Sequence, residues 1–293
     1  LGTNNGLFSI NNKLIKKYRS NYDQIGEQIL SIASTNHIWW LGTDNGLCTF
    51  NVESEEFEPM NQPEESSLSS HLISDLFEDK EGNIWVGTTN KGLNKLNTRT
   101  HKIKHYIHDP LDSTNISNNN ITCIFQDSKN NMWIGTENGL NILYKGKDNF
   151  KQKDRKQGLA GNKIRFVIED HLNKIWIGTN SGCSVLDPET GHINNYFQSD
   201  GLQGNLFTSA VQLDDGKIVL GGENGLNIFN PELISIDITH PTIQITGFSV
   251  FNESIKTDFT ETDEIVLNYK DNFFTIQFSS LSSSFPASYS YKL

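Results

Sequence analysis

One short motif recurs six times along this chain, and its spacing limits the fold more than any other feature. It first reads Leu1-Gly2-Thr3-Asn4-Asn5-Gly6-Leu7, then Trp40-Leu41-Gly42-Thr43-Asp44-Asn45-Gly46-Leu47, then Trp85-Val86-Gly87-Thr88 with Gly92-Leu93 after one inserted residue. Trp133-Ile134-Gly135-Thr136-Glu137-Asn138-Gly139-Leu140, Trp176-Ile177-Gly178-Thr179-Asn180-Ser181-Gly182-Cys183 and Leu220-Gly221-Gly222-Glu223-Asn224-Gly225-Leu226 complete the series. The first glycines stand at 2, 42, 87, 135, 178 and 221, a period of 40 to 48 residues. A repeat of that length is the length of a β-propeller blade.

The third unit shows the internal order. Apolar Leu72-Ile73-Ser74-Asp75-Leu76-Phe77 leads through the turn Asp79-Lys80-Glu81-Gly82-Asn83 into Ile84-Trp85-Val86-Gly87-Thr88, then to Gly92-Leu93-Asn94-Lys95-Leu96 and Lys102-Ile103-Lys104-His105-Tyr106-Ile107. Four short strands separated by Gly, Asn and Asp turn chemistry make one four-stranded blade. A lone blade leaves both faces wet, whereas blades set radially cover one another. The motif glycines fit places of close backbone approach or of positive φ in the turns. Five complete blades and one partial blade are expected, as part of a seven-bladed ring. The chain opens inside a motif, so it is expected to be a fragment of a longer protein.

The repeat stops after Asn230-Pro231. Beyond it Thr242 to Phe251, Glu264 to Leu267 and Phe273 to Phe278 read as alternating strands. The expected organisation is all-β: a propeller over 1–238 and a C-terminally truncated immunoglobulin-like β-sandwich over 239–293.

Composition narrows the functional classes. Lys plus Arg number 24 against 35 Asp plus Glu, a net charge of -11 in 293 residues, so a phosphate backbone is repelled on average and nucleic acid is not an expected partner. No apolar run approaches the ~20 residues of a membrane-spanning helix. Cys48, Cys123 and Cys183 are far apart, with no Cys or His at metal-ligand spacing, and read as buried small hydrophobes rather than zinc ligands or disulfide partners. No GxSxG elbow, HExxH, P-loop or GxGxxG occurs, so no catalytic residue and no cofactor are assigned.

The repeat is identified by these residues as resembling the two-component-regulator propeller. Asn119 to Asp127 followed by Trp133 to Asn141, and Asn162 to Asp170 followed by Trp176 to Gly182, carry the likeness. The tail from Pro241, with Tyr289 and Tyr291, resembles the tyrosine-motif β-sandwich that follows such propellers. The resemblance implies the periplasmic sensor region of a hybrid two-component system histidine kinase of the kind found in Bacteroidetes. It further implies an oligosaccharide ligand released from a polysaccharide, a homodimer in the full-length protein, and a membrane helix and kinase outside this chain. A propeller lyase or glycosidase acting on a polysaccharide is the alternative, and a protein-binding scaffold a third.

Aligning the units by their first strand places Glu27, His71, Asn119, Asn162 and Asn205 at equivalent positions near the channel mouth, where propellers bind ligands. The asparagines follow the repeat and suit bonds to backbone at the strand entry, although Asn119 is also carried as a ligand candidate. Glu27 and His71 depart from the pattern and are candidate ligand contacts, as is Arg165 on the first strand of its blade, where a guanidinium can grip a hydroxyl or carboxylate bidentately. Lys145, Lys147, Lys151, Lys153, Arg155 and Lys156 read as a solvated outer edge. His101, His105 and His108 alternate too poorly to hold a metal. Asp79 to Asn83 and Asp214-Asp215-Gly216 suit hairpin turns better than calcium loops. Trp39 beside Trp40 reads as packing.

Overall fold

A computed structural model describes every residue except 12–13, 23–24, 36, 61–66, 235–242, 252, 257–264 and 281–293. The chain divides into two compact units, Leu1–Ile234 and Ser235–Leu293. Tyr289 and Tyr291, like the expected boundary at 238, lie outside the described residues.

The first unit is a six-bladed propeller of antiparallel sheets. Blade 1 comprises β1 (Gly2–Thr3), β2 (Gly6–Asn11) and β3 (Leu14–Tyr18), and blade 2 comprises β4 (Ile29–Thr35), β5 (Ile38–Thr43), β6 (Gly46–Asn51) and β7 (Glu56–Pro59). Blade 3 holds β8 (Ile73–Glu78), β9 (Asn83–Thr88), β10 (Leu93–Asn97) and β11 (Ile103–Tyr106); blade 4 holds β12 (Ile121–Gln126), β13 (Met132–Thr136), β14 (Gly139–Leu143) and β15 (Phe150–Lys153). Blade 5 runs through β16 (Ile164–Glu169), β17 (Ile175–Thr179), β18 (Gly182–Leu186) and β19 (Ile193–Tyr196), and blade 6 through β20 (Phe207–Gln212), β21 (Ile218–Gly222) and β22 (Gly225–Phe229). A fourth strand was expected in blade 6. Among the described residues there are three, because Pro231 opens a 3-10 turn capped by the Asn230 side chain.

The core of the propeller is divided among the blades. Five apolar clusters fill the five gaps between successive blades, for instance Trp85, Leu93 and Tyr106 of blade 3 against Ile121, Ile124 and Ile134 of blade 4. The first strands β4, β8, β12, β16 and β20 pack in succession and form the inner edge. Each begins with a fully or nearly buried apolar residue, Ile29, Ile73, Ile121, Ile164 or Phe207, followed by a register shift of one residue. Burying each such side chain contributes about 1.5–3 kcal/mol.

The motif glycine explains its own recurrence. A Cβ on Gly135 would lie 2.4 Å from Cys123 Sγ of its own blade and 2.8 Å from Ile164 Cγ2 of the next, and Gly42 and Gly87 meet Ile73 and Ile121 in the same way. Close approach between blades thus requires glycine at this point. The motif threonine closes the next turn: the hydroxyls of Thr43, Thr88, Thr136 and Thr179 donate to the carbonyls of Gly46, Gly92, Gly139 and Gly182 at 2.7–2.8 Å.

The second unit shows a three-stranded sheet in the order β24 (Glu253–Lys256), β23 (Ile243–Val250), β25 (Phe274–Ser280). Phe248 and Phe274 stack at 5.7 Å between ring centroids. The strand expected over Glu264 to Leu267 does not form at Ile265 to Leu267. Over that stretch the backbone is irregular and Val266 is exposed.

Candidate functional site

The first strands enter from one rim of the propeller, the rim that also carries the Thr-Gly turns. Here the asparagines at the repeat position build the frame. The carbonyls of Asn119 and Asn162 accept from Gly92 and Gly139 of the preceding blades at 2.8 and 2.7 Å. Their side-chain oxygens, with that of Asn205, accept the backbone N–H groups of His108, Arg155 and Gln198 at 2.7, 2.9 and 2.7 Å. The expected backbone bonds at the strand entry are therefore present in all three, and Asn119 Oδ1 is already engaged.

At the two departures from that pattern the rim differs. His71 is exposed and lies against Gly46 of blade 2. Glu27 lines a cleft of about 430 Å³ between blade 1, the linker that leaves it and blade 2. Its walls are Asn5, Gly6, Leu7, Lys17 and Tyr18 from blade 1, Arg19, Ser20, Tyr22, Ile25, Gly26 and Glu27 from the linker, and Ile29 and Phe57 from blade 2. A cluster of rings backs the wall: Tyr18 meets Phe50 edge-on at 5.0 Å and Phe57 meets it tilted at 4.9 Å, and the Tyr18 hydroxyl lies 3.1 Å from Ser9 Oγ. Lys17 Nζ donates to Asn5 Oδ1 at 2.8 Å and sits over the Phe8 ring. Tyr22, Arg19 and Glu27 stand at the open side, exposed. The arrangement offers aromatic faces, amide and hydroxyl groups, two cations and one carboxylate to a small polar ligand.

Arg165 lies elsewhere. It is the extra residue of the β16 bulge, half-buried, and its Nε is buried without a hydrogen-bond partner. Asp75, just past the corresponding bulge of β8, ties blades 3 and 4: Oδ2 accepts from Ile124 N–H at 2.8 Å while Oδ1 accepts from Leu76 N–H at 2.9 Å. Burial pushes its carboxyl up to about 6, against the pull of those two N–H groups. Burial also pushes the thiols of Cys48, Cys123 and Cys183 up to about 12.

Of the four residues expected to contact ligand, then, the cleft takes in Glu27 and leaves His71, Asn119 and Arg165 outside its walls. Lys17, Arg19 and Tyr22 were not singled out in the sequence, although Lys16-Lys17-Tyr18-Arg19 followed by Tyr22 is a basic and aromatic run on a strand end and linker. His105 Nδ1 lies 2.7 Å from Asn94 Oδ1 and His108 Nδ1 lies 2.8 Å from the Ile116 carbonyl, so both serve the framework. Among the described residues no group of three metal-ligating side chains converges.

This is an all-β propeller module with a polar cleft at its rim. The two-component regulator propeller pattern matches residues 67–90 and 115–138, the first halves of blades 3 and 4. Over 72 residues, 23% of this chain and 5% of the relative, it is 38% identical to histidine kinase P4 of Formosa agariphila. The extracellular domain of a putative hybrid two-component system from B. thetaiotaomicron superposes with a TM-score of 0.72 at 23% identity, covering 95% of this chain and 39% of that one. The virginiamycin B lyase of Staphylococcus aureus shares the fold more distantly, with a TM-score of 0.51 and 13% identity over 72% of this chain and 71% of that one. This chain spans well under half of the two-component relatives. Among the described residues no helix is long and apolar enough to cross a membrane.

Proposed function

We propose that this chain is a non-catalytic ligand-sensing module of a two-component sensor histidine kinase, exposed to the periplasm, that binds oligosaccharides released from a polysaccharide. The observation that carries the reading is the cleft between blades 1 and 2, where Tyr22 presents a ring to the face of a sugar and Asn5, Ser20 and Glu27 present partners for its hydroxyls. The two-component relatives support the sensing role. For a signal to pass, the ligand has to bind one of two arrangements of the sensor better than the other.

The test is thermal shift and calorimetry on the purified chain with a panel of defined oligosaccharides, each mixture chromatographed afterwards. A ligand at 100 times its Kd raises the midpoint by about 5–10 °C and is recovered intact. Tyr22→Ala then lowers the affinity. Recovery of a cleaved sugar would transfer the reading to a propeller enzyme, and no shift with any sugar would end it.

A further inference from the structure

We propose that the ligand of the cleft between blades 1 and 2 is an acidic sugar, one bearing a carboxylate or a sulfate ester, with Arg19 and Lys17 as the groups that read its charge. The inference rests on the sensing role proposed above and adds the chemical class of what is sensed.

The argument is one of charge left uncompensated. The chain carries a net charge of -11, and many of its cations are neutralised where they stand. Lys104, Lys129, Lys163, Lys174 and Lys217 each pair with a carboxylate. So does Lys16, the neighbour of Lys17, which is held by Glu55 on the other side of the strand. Lys17 and Arg19 differ. Residues two apart on an extended segment share a face, and these two both line the cleft. The partners of Lys17 are the neutral Asn5 amide and the Phe8 ring, which orient the ammonium without cancelling it. Arg19 makes no hydrogen bond or ion pair among the described residues. Glu27 is the one carboxylate in the lining and likewise has no partner among them.

Among the described lining residues two cations stand against one carboxylate, in a protein of opposite net sign, while Asp44 lies behind Gly26 and accepts from the Gln28 N–H. A guanidinium unpaired among the described residues matches the paired oxygens of a carboxylate or a sulfate, two parallel N–H···O bonds at once, and the ammonium adds a second charge nearby. Glu27 accepts from sugar hydroxyls and repels a second anionic group, which favours a ligand charged on one side only. A neutral oligosaccharide would leave Arg19 and Lys17 partly desolvated with nothing in return.

The experiment uses the purified chain and matched pairs: digalacturonate against its carboxyl-reduced counterpart, and sulfate-ester disaccharides against their desulfated counterparts, within a broader panel of acidic and neutral oligosaccharides. Titration calorimetry is run at low and high salt. The expected result is binding of an acidic member on the order of 10- to 100-fold tighter than its neutral counterpart, weakened by salt. Which pair shows the difference distinguishes carboxylate from sulfate. Arg19→Gln and Lys17→Gln remove the preference, while Glu27→Gln strengthens binding of the acidic member more than of the neutral one. Arg19 is exposed, so the melting point of Arg19→Gln in the absence of sugar stays that of the parent. Equal binding of neutral and acidic partners, untouched by Arg19→Gln, would overturn the acidic-sugar inference and leave the sensing role standing. Failure of every sugar to bind the folded chain would overturn both.

Discussion

The indole N–H of Trp133 donates to Oδ2 of Asp127 at 2.9 Å, across the hairpin that opens blade 4, and the bond is repeated at Trp85 to Asp79 (2.8 Å) and Trp176 to Asp170 (2.7 Å). The same carboxylate holds the hairpin from the other side. Asp127 Oδ1 accepts from Asn131 N–H at 2.7 Å, and its equivalents accept from Asn83 and Lys174 N–H groups at 2.9 Å. One aspartate therefore ties the turn to the large ring beneath it, and Asp127 is almost fully buried.

Asp127→Ala is expected to cost about 2–4 kcal/mol, because it strands the buried indole N–H and the turn N–H without acceptors. In a unit of this size that lowers the melting midpoint by roughly 4–16 °C. The check is a thermal melt of the variant beside Thr114→Ala on the exposed rim, which should barely move.

Gly135→Ala and Gly221→Ala are chemically identical changes with different expected outcomes. At Gly135 the new methyl meets Cys123 and Ile164, whereas at Gly221 its nearest neighbour is Ser209 Oγ at 3.0 Å and the next lies at 3.6 Å. Gly135→Ala should destabilise by about 1–3 kcal/mol or more, and Gly221→Ala by less. Urea midpoints of the two variants decide it.

Asp75 sets a pH dependence. Its folded carboxyl is raised to about 6 from an ordinary 3.8, so between those values the folded chain keeps a proton that the unfolded chain has released. Its contribution to stability is present below pH 4 and is lost as pH rises through 6, a change on the order of 3 kcal/mol at most. Asp75→Asn should remove this slope between pH 4 and 6, measured as urea midpoints against pH. Asp79 acts in the opposite sense. Burial raises its carboxyl, but bonds from Asn83 and Trp85 and the charge of Lys95 outweigh burial and hold it below the ordinary value, so its contribution fades only in stronger acid.

The three thiols should resist modification. With Cys48, Cys123 and Cys183 all pushed up to about 12, the thiolate is scarce at pH 8. Ellman's reagent is expected to react slowly with the folded chain and to release three equivalents in guanidinium. A fast equivalent under native conditions would show an accessible thiolate and contradict the structure.

The blades were legible because each motif residue answers to one local demand that every unit shares. Gly135 makes room for Ile164, Thr136 closes its turn, and Asp127 takes the indole hydrogen of Trp133. Repetition turns such demands into a pattern. The cleft answers to no repeated demand. Lys17 and Arg19 meet Tyr22 and Glu27 only through the path of the linker between blades 1 and 2, whose side chains the other linkers do not share. Glu27 stood out as a break in the pattern, but its neighbours did not. Asp75 was visible as an acid in an apolar strand, yet nothing in the sequence names Ile124 N–H as its partner. Ile265 to Leu267 alternates like a strand, yet alternation only marks which side chains share a face and does not by itself make a ladder.

The shift of register at the head of each inner strand separates two kinds of position. The residue before it is Ile29, Ile73, Ile121, Ile164 or Phe207, apolar without exception, because it is clamped in the gap between blades. The residue inserted by it is Leu30, Ser74, Thr122, Arg165 or Thr208, a range from aliphatic to cationic, because an unpaired bulge residue answers to neither the ladder nor the core. Five neighbouring sites along the axis thus carry side chains of different character on one shared backbone geometry, so a scaffold of this kind can vary its inner edge without having to refold for it.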